Sequence, residues 1–379
     1  MRPMNPTQTF LDYLRPEIIN LPAYNAGVST DYVRSKYQVR DVAKLGSNEN
    51  SHGTSPKVLA AIAAALQDVA LYPDPFGNQL RDALALRLNV TRDRLVLGNG
   101  SDDLIAVAAQ TFLAPGDDVL TVAPSYGLHV IWPQSIGARV RAISVQQDYS
   151  LDIGKLIAAL TPRTRMIMFS NPSNPVGTSI TASDMSRLLA ATGDSGLLVF
   201  DEAYFEYAAE DPSYPPFAKM LEQRAGPWLL LRTFSKAYAL AGLRIGYALA
   251  SDPALINLMD RVRGPFNVNR LALVAAFAAL KEREYVQNCI SRTSEERERM
   301  QRALQALGYR PAPSLANFLF FDAREDSFEL AQRLLPEGVI VKPWREPGFT
   351  THIRVSIGSR WANDQFLAAL ANVRLASIA

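Results

Sequence analysis

The sequence predicts an α/β protein, with a large domain built on a mostly parallel sheet flanked by helices and a smaller α+β domain after it. Three observations lead there. From about residue 45 to residue 264, short apolar runs alternate with helix-length segments, the pattern of a parallel sheet covered on both faces. Several of those runs end directly in turns rich in glycine, proline and polar side chains, at the strand ends where open α/β sheets place ligands. After residue 265 the alternation gives way to a long helical stretch and then to a mixture of strands and helices.

Residues 1–44 read as an N-terminal arm, helical from Thr7 to Leu14 and turn-prone from Pro22 to Ser29. Residues 45–264 form the large domain and residues 265–379 the small one. In the large domain the helix-like segments are Pro56 to Val69, Gln79 to Leu88, Asp102 to Phe112, Ile153 to Leu160 and Thr181 to Thr192. The strand-like runs are Arg94 to Leu97, Asp118 to Val122, Ala138 to Ser144, Met166 to Phe169, Leu197 to Phe200, Trp228 to Leu231 and Ile245 to Leu249. The small domain opens with a long helix, Leu271 to Leu307, broken or bent along its length. Its charge run from Arg292 to Arg302 mixes both signs and reads as a solvated face. A strand at Phe318 to Asp322, a helix at Ser327 to Leu334, strands at Val339 to Lys342 and His352 to Ser356, and a closing helix at Ala362 to Ala371 complete it.

Composition narrows the function classes. The chain has 379 residues, 48% of them hydrophobic, ample for a large ordered core. Its formal charge of +2 comes from 39 basic and 37 acidic residues. That balance offers no electrostatic reason for nucleic acid or membrane as a partner. The alanine-rich apolar runs Val58 to Leu66 and Leu271 to Leu280 are too short to span a bilayer and read as buried helix faces. A single cysteine, Cys289, excludes an internal disulfide. With no signal-peptide pattern at the N-terminus, a cytoplasmic location is expected.

Chemistry concentrates at four strand ends. After Trp228 to Leu231 comes Thr233-Phe234-Ser235-Lys236, with Arg244 eight residues past the lysine. A lysine in a partly desolvated pocket near another cation loses its proton readily and attacks carbonyls. Flanking hydroxyls and an arginine suit a phosphate. The strand Leu198-Val199-Phe200 ends in Asp201, with Tyr204 three residues on. Asn171-Pro172-Ser173-Asn174-Pro175-Val176-Gly177-Thr178 follows another strand as an irregular loop. Leu95-Val96-Leu97-Gly98-Asn99-Gly100-Ser101-Asp102-Asp103 is a strand, a glycine turn and a helix start whose free amides could bind phosphate. Taken singly, each has an ordinary explanation: a surface lysine, a turn-capping aspartate, a turn, a helix cap. Together they meet the needs of pyridoxal 5′-phosphate, whose aldehyde is held by a lysine and whose phosphate is held by nearby groups.

In this order, over nearly the whole chain, these segments resemble the fold-type-I, aspartate-aminotransferase-like enzymes. The resemblance implies that Lys236 is the Schiff-base lysine and that Asp201 pairs with the pyridine nitrogen. It implies that Asn174 and Tyr204 hold the phenolate oxygen and that Ser101, Asp102, Ser235 and Arg244 surround the phosphate. Tyr126, in Pro124-Ser125-Tyr126-Gly127, would stack on the cofactor ring.

Near the C-terminus, His352, Arg354 and Ser356 alternate with Ile353, Val355 and Ile357, as two faces of a strand. From the pattern alone Arg354 could sit on a wet face or bind an acidic group. The resemblance implies the second. Within the fold type the chain is similar to the histidinol-phosphate aminotransferases. The similarity runs through Leu45-Gly46-Ser47-Asn48-Glu49-Asn50, Gly98 to Asp103, Ser235 to Gly246, Arg263-Gly264-Pro265-Phe266-Asn267-Val268-Asn269 and Ile353 to Gly358. Tyr24 matches an arm tyrosine that lies over the substrate. Two positions depart from that family. Ser51-His52 stands where the family has proline and then an aromatic residue that reaches the partner subunit's cofactor phosphate. Lys342 stands where an arginine often helps to hold the substrate phosphate, and lysine lacks the two-pronged geometry.

The resemblance therefore implies amino transfer from histidinol phosphate to 2-oxoglutarate in a homodimer with shared active sites. Two other activities stay open on the same scaffold: transamination of an unphosphorylated, for example aromatic, amino acid, and decarboxylation of an amino-acid phosphate. A regulator built on this fold would need an added DNA-binding module, and the sequence has no basic stretch or helix-turn-helix extension to supply one.

Overall fold

The computed structural model describes residues 13–376, with side chains through residue 373. The helix expected from Thr7 to Leu14 lies outside the described residues except for Tyr13 and Leu14, which form a turn. The arm is helical at Pro16–Ile19 and Thr30–Tyr37, irregular between them, and ends in a two-residue strand, β1 (Ala43–Lys44).

The large sheet has seven strands: β2 (Leu95–Gly98), β3 (Asp118–Ala123), β4 (Arg139–Ser144), β5 (Thr164–Ser170), β6 (Leu197–Asp201), β7 (Trp228–Thr233) and β8 (Gly246–Ala250). Their order is β2-β8-β7-β6-β5-β3-β4. The strands β3 to β7 pair in parallel, and β8 runs antiparallel to both its neighbours, β2 and β7. Every residue of β6 and β7 is buried. Alternate side chains go to opposite faces, so Trp228 and Leu230 enter one core while Leu229 and Leu231 enter the other. With helices on both faces, central strands must be apolar throughout.

The helices start where the local chemistry dictates. Thr181 accepts the N–H of Asp184 at 3.0 Å, Asp252 that of Ala254 at 2.7 Å ahead of Pro253, and Asn269 that of Ala272 at 2.8 Å. Each supplies a partner to an amide that the helix cannot satisfy.

The small core gathers β9 (Phe318–Asp322), the helix Ser327–Leu334, Val339 of β10 (Val339–Ile340), β12 (His352–Ser356) and the helix Arg360–Ala376, and β11 (Lys342–Pro343) pairs along β12. The arm contributes too: β1 pairs with β10 in parallel, and Ala43 and Leu45 lie in the small core.

Beyond residue 265 the chain serves both cores. The helix Arg270–Ala279 buries Ala272, Ala275, Ala276 and Ala279 in the larger core, with Val58. The expected long helix does break, and its second part, Arg283–Ala306, spans both cores: Val286 and Ile290 pack in the larger, Met300 and Leu304 in the smaller. One expectation is corrected, that Val58 to Leu66 forms a buried helix face. In the helix Pro56–Ala65 only Val58 is buried, while Leu59 and Leu66 are each 53% exposed. The helix has more apolar positions than one packed face can cover.

Phe366 is fully buried in the small core, on the closing helix. Phe366→Ala is expected to cost about 3–5 kcal/mol by removing the ring and leaving a cavity. A denaturant midpoint that does not move would refute that packing role.

Candidate active site

The carboxyl ends of β2, β3, β5, β6 and β7 lie along one edge of the large sheet, and the turns after them carry most of the expected residues. Because β8 is reversed, its first residue, Gly246, pairs with Gly98 and Thr233 at that same edge. Arg244 is delivered there with φ 58°. Two glycines permit the approach. A Cβ on Gly246 would stand 2.8 Å from the amide nitrogen of Ser101, and one on Gly100, where φ is +86°, would collide with the Arg244 guanidinium.

One group of side chains forms at the start of the helix Ser101–Phe112. Arg244 Nη2 pairs with Asp102 Oδ2 at 3.1 Å, and Nη1 donates to Ser235 Oγ at 3.3 Å. Ser235 Oγ also accepts the Thr233 hydroxyl at 2.9 Å. Tyr126 Oη donates to Asp102 Oδ1 at 2.8 Å. No side chain caps this helix start, so its first amides face outward beside an arginine and two hydroxyls. Helix amides, a guanidinium and hydroxyls together can hold a phosphate.

A second group joins the two domains. Arg354 Nη1 donates to Asn174 Oδ1 at 2.6 Å and Nη2 to the Gly46 carbonyl at 2.8 Å. Asn174 Nδ2 donates to Tyr204 Oη at 3.3 Å, and Asn48 Nδ2 donates to the same oxygen at 2.9 Å. Ser356 Oγ bonds Asn48 through both its backbone N–H and its Oδ1, each at 2.8 Å. The strand β12 is buried on both faces, so Arg354 is not on a wet surface. Its Nε is buried without a hydrogen-bond partner. Tyr204 is fully enclosed, and burial pushes its hydroxyl up to about 12. It therefore keeps its proton, and both bonds above leave that proton free to be donated.

Lys236 lies between the groups. Its Nζ donates to the Ser47 carbonyl at 3.2 Å and stands 5.8 Å from the centre of the Tyr204 ring. Burial first, and then the Arg354 charge, lower its pKa to about 8, with Arg244 adding to the fall and Asp102 and Glu49 opposing it. Desolvation and like charge both disfavour the ammonium form.

Asp201 ends β6, 3% exposed, and its Oδ1 accepts the Ala203 N–H at 3.1 Å. Its Oδ2 meets His129 Nε2 at 3.2 Å, and His129 Nδ1 lies 3.4 Å from Ser125 Oγ. His129 is a site residue that sequence reasoning missed. The signal available was its place three residues after Tyr126, one helical turn on. Pro133 disguised the helix Leu128–Ser135 that carries it. Asn48 was visible as part of a motif but not as the link between Tyr204 and Ser356.

Tyr24 and Lys342 form the rim. Tyr24 meets Tyr126 edge to face at 5.9 Å between ring centres. Lys342 Nζ donates to the Asn25 carbonyl and lies 5.9 Å from the Tyr24 ring centre. Burial, then Arg354 and Arg345, lower its pKa to about 8. His52 stands apart. Its N–H donates to Asn50 Oδ1 at 2.9 Å, its carbonyl accepts from Tyr285 Oη at 3.1 Å, and its ring bonds to none of these residues. Burial and then Arg292 lower its pKa below the ordinary value.

The sequence pattern of the family described as aminotransferase class I and II matches residues 40–370. The chain belongs to that family. It is 44% identical over 362 residues to histidinol-phosphate aminotransferase 1 of Mesorhizobium japonicum, covering 96% of this chain and 98% of that protein. It is 46% identical over 360 residues to histidinol-phosphate aminotransferase 3 of Rhizobium meliloti, covering 95% and 97%. Among solved structures, histidinol-phosphate aminotransferase from Sinorhizobium meliloti in complex with pyridoxal-5′-phosphate superposes with a TM-score of 0.87 at 30% identity, over 97% of this chain and 98% of that one. The expected fold, a large mostly parallel sheet with a smaller domain, is the fold observed.

Among the described residues no helix is long and apolar enough to cross a membrane, and no cluster of His, Cys, Asp and Glu could hold a metal ion.

The lowered pKa has a direct readout. In the cofactor-free protein, labelling of Lys236 by an amine-selective acylating reagent should rise with pH through about 8, because the neutral amine is the reactive form. Arg354→Met should move that midpoint upward by removing a neighbouring charge. A midpoint at an ordinary lysine's pKa in both proteins would contradict this account.

Proposed function

We propose that this chain is a pyridoxal-phosphate-dependent aminotransferase that moves an amino group from histidinol phosphate to 2-oxoglutarate. One observation carries the reading: a lysine with a pKa near 8 stands between an anion-holding helix start and a buried arginine with an unpartnered N–H. The relatives at 44% and 46% identity over nearly the whole chain support the choice of donor.

The residues fit the cofactor. The Ser101 amide region, Ser235 and Arg244 would hold its phosphate, and Asn174 and the protonated Tyr204 would face its phenolate oxygen. Tyr126 would lie against the ring, and Asp201, kept in place by His129, would face the ring nitrogen. When bound, the cofactor supplies an aldehyde that condenses with amines and a ring that accepts the electron pair left on the substrate carbon.

The chain's own residues do the rest. Lys236 Nζ is the amine that would take the aldehyde. Once free, it is close enough to neutral to take a proton at neutral pH and return it, as general base and then acid. Arg354 is desolvated and has a donor to spare. An incoming carboxylate or phosphate would satisfy that orphan N–H, which otherwise costs about 1–3 kcal/mol. Tyr24, over Tyr126, would cover the substrate and exclude water.

A second reading draws on Lys342. Its ammonium is bonded to the arm and has a lowered pKa, so it offers a phosphate less than a free arginine would. This favours an unphosphorylated amine with the same chemistry. Decarboxylation has no comparable observation in its favour.

A homodimer completes the proposal. Leu59, Leu66, Val69, Leu71 and Tyr72 are all exposed within a short stretch of chain, apolar surface that a partner subunit would cover. His52 of one protomer would reach the cofactor phosphate of its partner, donating a ring N–H with little charge at neutral pH, since its pKa is lowered. A cytoplasmic enzyme of biosynthesis fits this reading.

Mixing the loaded protein with histidinol phosphate alone should discharge the aldehyde's absorbance within one turnover. Conversion with an aromatic amino acid but not with histidinol phosphate would favour the second reading. Lys236→Ala should still bind the cofactor and lose turnover, and near-normal turnover would sink the role of Lys236. Light scattering should report a dimer, with Leu66→Lys weakening it; an active monomer at assay concentration would exclude shared sites.

A further inference from the structure

The segment between β11 and β12 is a hairpin loop with a defined shape. Trp344 N–H donates to the His352 carbonyl at 2.9 Å, extending the pairing of the two strands. Phe349 N–H donates to the Glu346 carbonyl at 2.9 Å, with Pro347 and Gly348 between them and Gly348 at φ 86°. Proline first and a positive-φ glycine second are what a type II turn requires. The loop therefore holds Glu346 in one place, two residues from Trp344 and four from Lys342.

From there Glu346 reaches the other domain. Its Oε2 accepts the backbone N–H of Ser125 at 2.9 Å and the indole N–H of Trp344. Ser125 immediately precedes Tyr126. The Trp344 ring centre lies 5.9 Å from the Arg354 guanidinium. One carboxylate oxygen thus joins the turn that presents Tyr126 to the aromatic wall beside Arg354. Burial pushes the Glu346 carboxyl up, and the two hydrogen bonds oppose that shift. Among the described residues no Lys, Arg or His forms an ion pair with Glu346, so two N–H donors, one from each domain, are what hold it. A carboxyl in such surroundings is costly unless bonded, and bonds to an ionised acceptor are the stronger kind.

We propose that Glu346 is a positioning residue that fixes the Ser125–Tyr126 turn against the substrate strand, setting Tyr126 and Arg354 relative to each other across the domain boundary. This rests on the reading that Tyr126 faces the cofactor ring and Arg354 the substrate's acidic group. Reach is the requirement, because one oxygen must meet both N–H groups. A side-chain amide of equal length offers an oxygen at the same place. A carboxylate one methylene shorter keeps the charge but cannot span the gap.

The test compares Glu346→Gln and Glu346→Asp with the wild-type chain. The readouts are the visible circular dichroism of bound pyridoxal phosphate, the affinity of the cofactor-free protein for it, the kcat and KM for 2-oxoglutarate, and the melting temperature. Glu346→Gln should keep the dichroic band and bind within about twofold of wild type. Glu346→Asp should lose much of the band, bind the cofactor about tenfold more weakly, as loss of one such bond implies, and raise KM more than it lowers kcat. Glu346→Asp matching wild type, Glu346→Gln failing alongside it, or a change in melting temperature alone would each overturn the proposal. A wild-type protein with no visible band would overturn the cofactor reading and this proposal with it, and that failure is distinct because Glu346 is then intact.

Discussion

The bond from Arg354 Nη1 to Asn174 Oδ1, 2.6 Å long, is the contact on which the site depends. It ties a strand of the small domain to a loop of the large one. By taking the amide oxygen of Asn174, it leaves Nδ2 to point at Tyr204, so a single guanidinium sets the orientation of the amide and through it the environment of the phenol. Arg354 is also buried, and its charge acts in surroundings that screen it poorly. Two cations in one enclosed pocket cannot both stay charged at low cost, and Lys236, whose ammonium is a stronger acid than a guanidinium, is the one that gives up its proton more readily. The buried Arg354 charge thereby adds to the burial that lowers the Lys236 pKa.

Much of this was legible in the sequence. The strands β3, β6, β7, β9 and β12 stand within a residue or two of where apolar runs predicted them, because each is a buried run ended by a polar or glycine turn. Asp201, Lys236, Asn174 and Ser101 were visible because each follows such a strand directly, and strand order plus parallel pairing brings strand ends to one edge. What the sequence hid has physical causes. The helix Leu128–Ser135 contains Pro133, and His129 within it carries no motif of its own. The helix Pro56–Ala65 is apolar throughout after Lys57, so hydrophobicity could not say which face was covered. Glu346 bonds a backbone N–H, and backbone donors leave no trace in residue types.

The two departures from the family pattern look different in three dimensions than in sequence. Lys342 was weighed only as a poorer phosphate ligand, yet its ammonium is bonded to Asn25 and sits beside Tyr24, which gives it a structural partner in the arm. His52 can meet a phosphate as a hydrogen-bond donor, and its burial beside Arg292 favours the neutral ring in that role. In both cases desolvation lowers the tendency to carry a charge, which side-chain identity alone does not show.

The pairing of β1 with β10 places Ala43 against Val339. Nearly three hundred residues separate them, with the entire large sheet in between. On the ribosome, the large sheet can therefore assemble while Ala43 and Leu45 have no core to enter. Those residues cannot be covered until the strand at Val339 has been made. The small core thus forms only after the large sheet's strands exist, and the bond from Ser356 to Asn48 must wait for it as well.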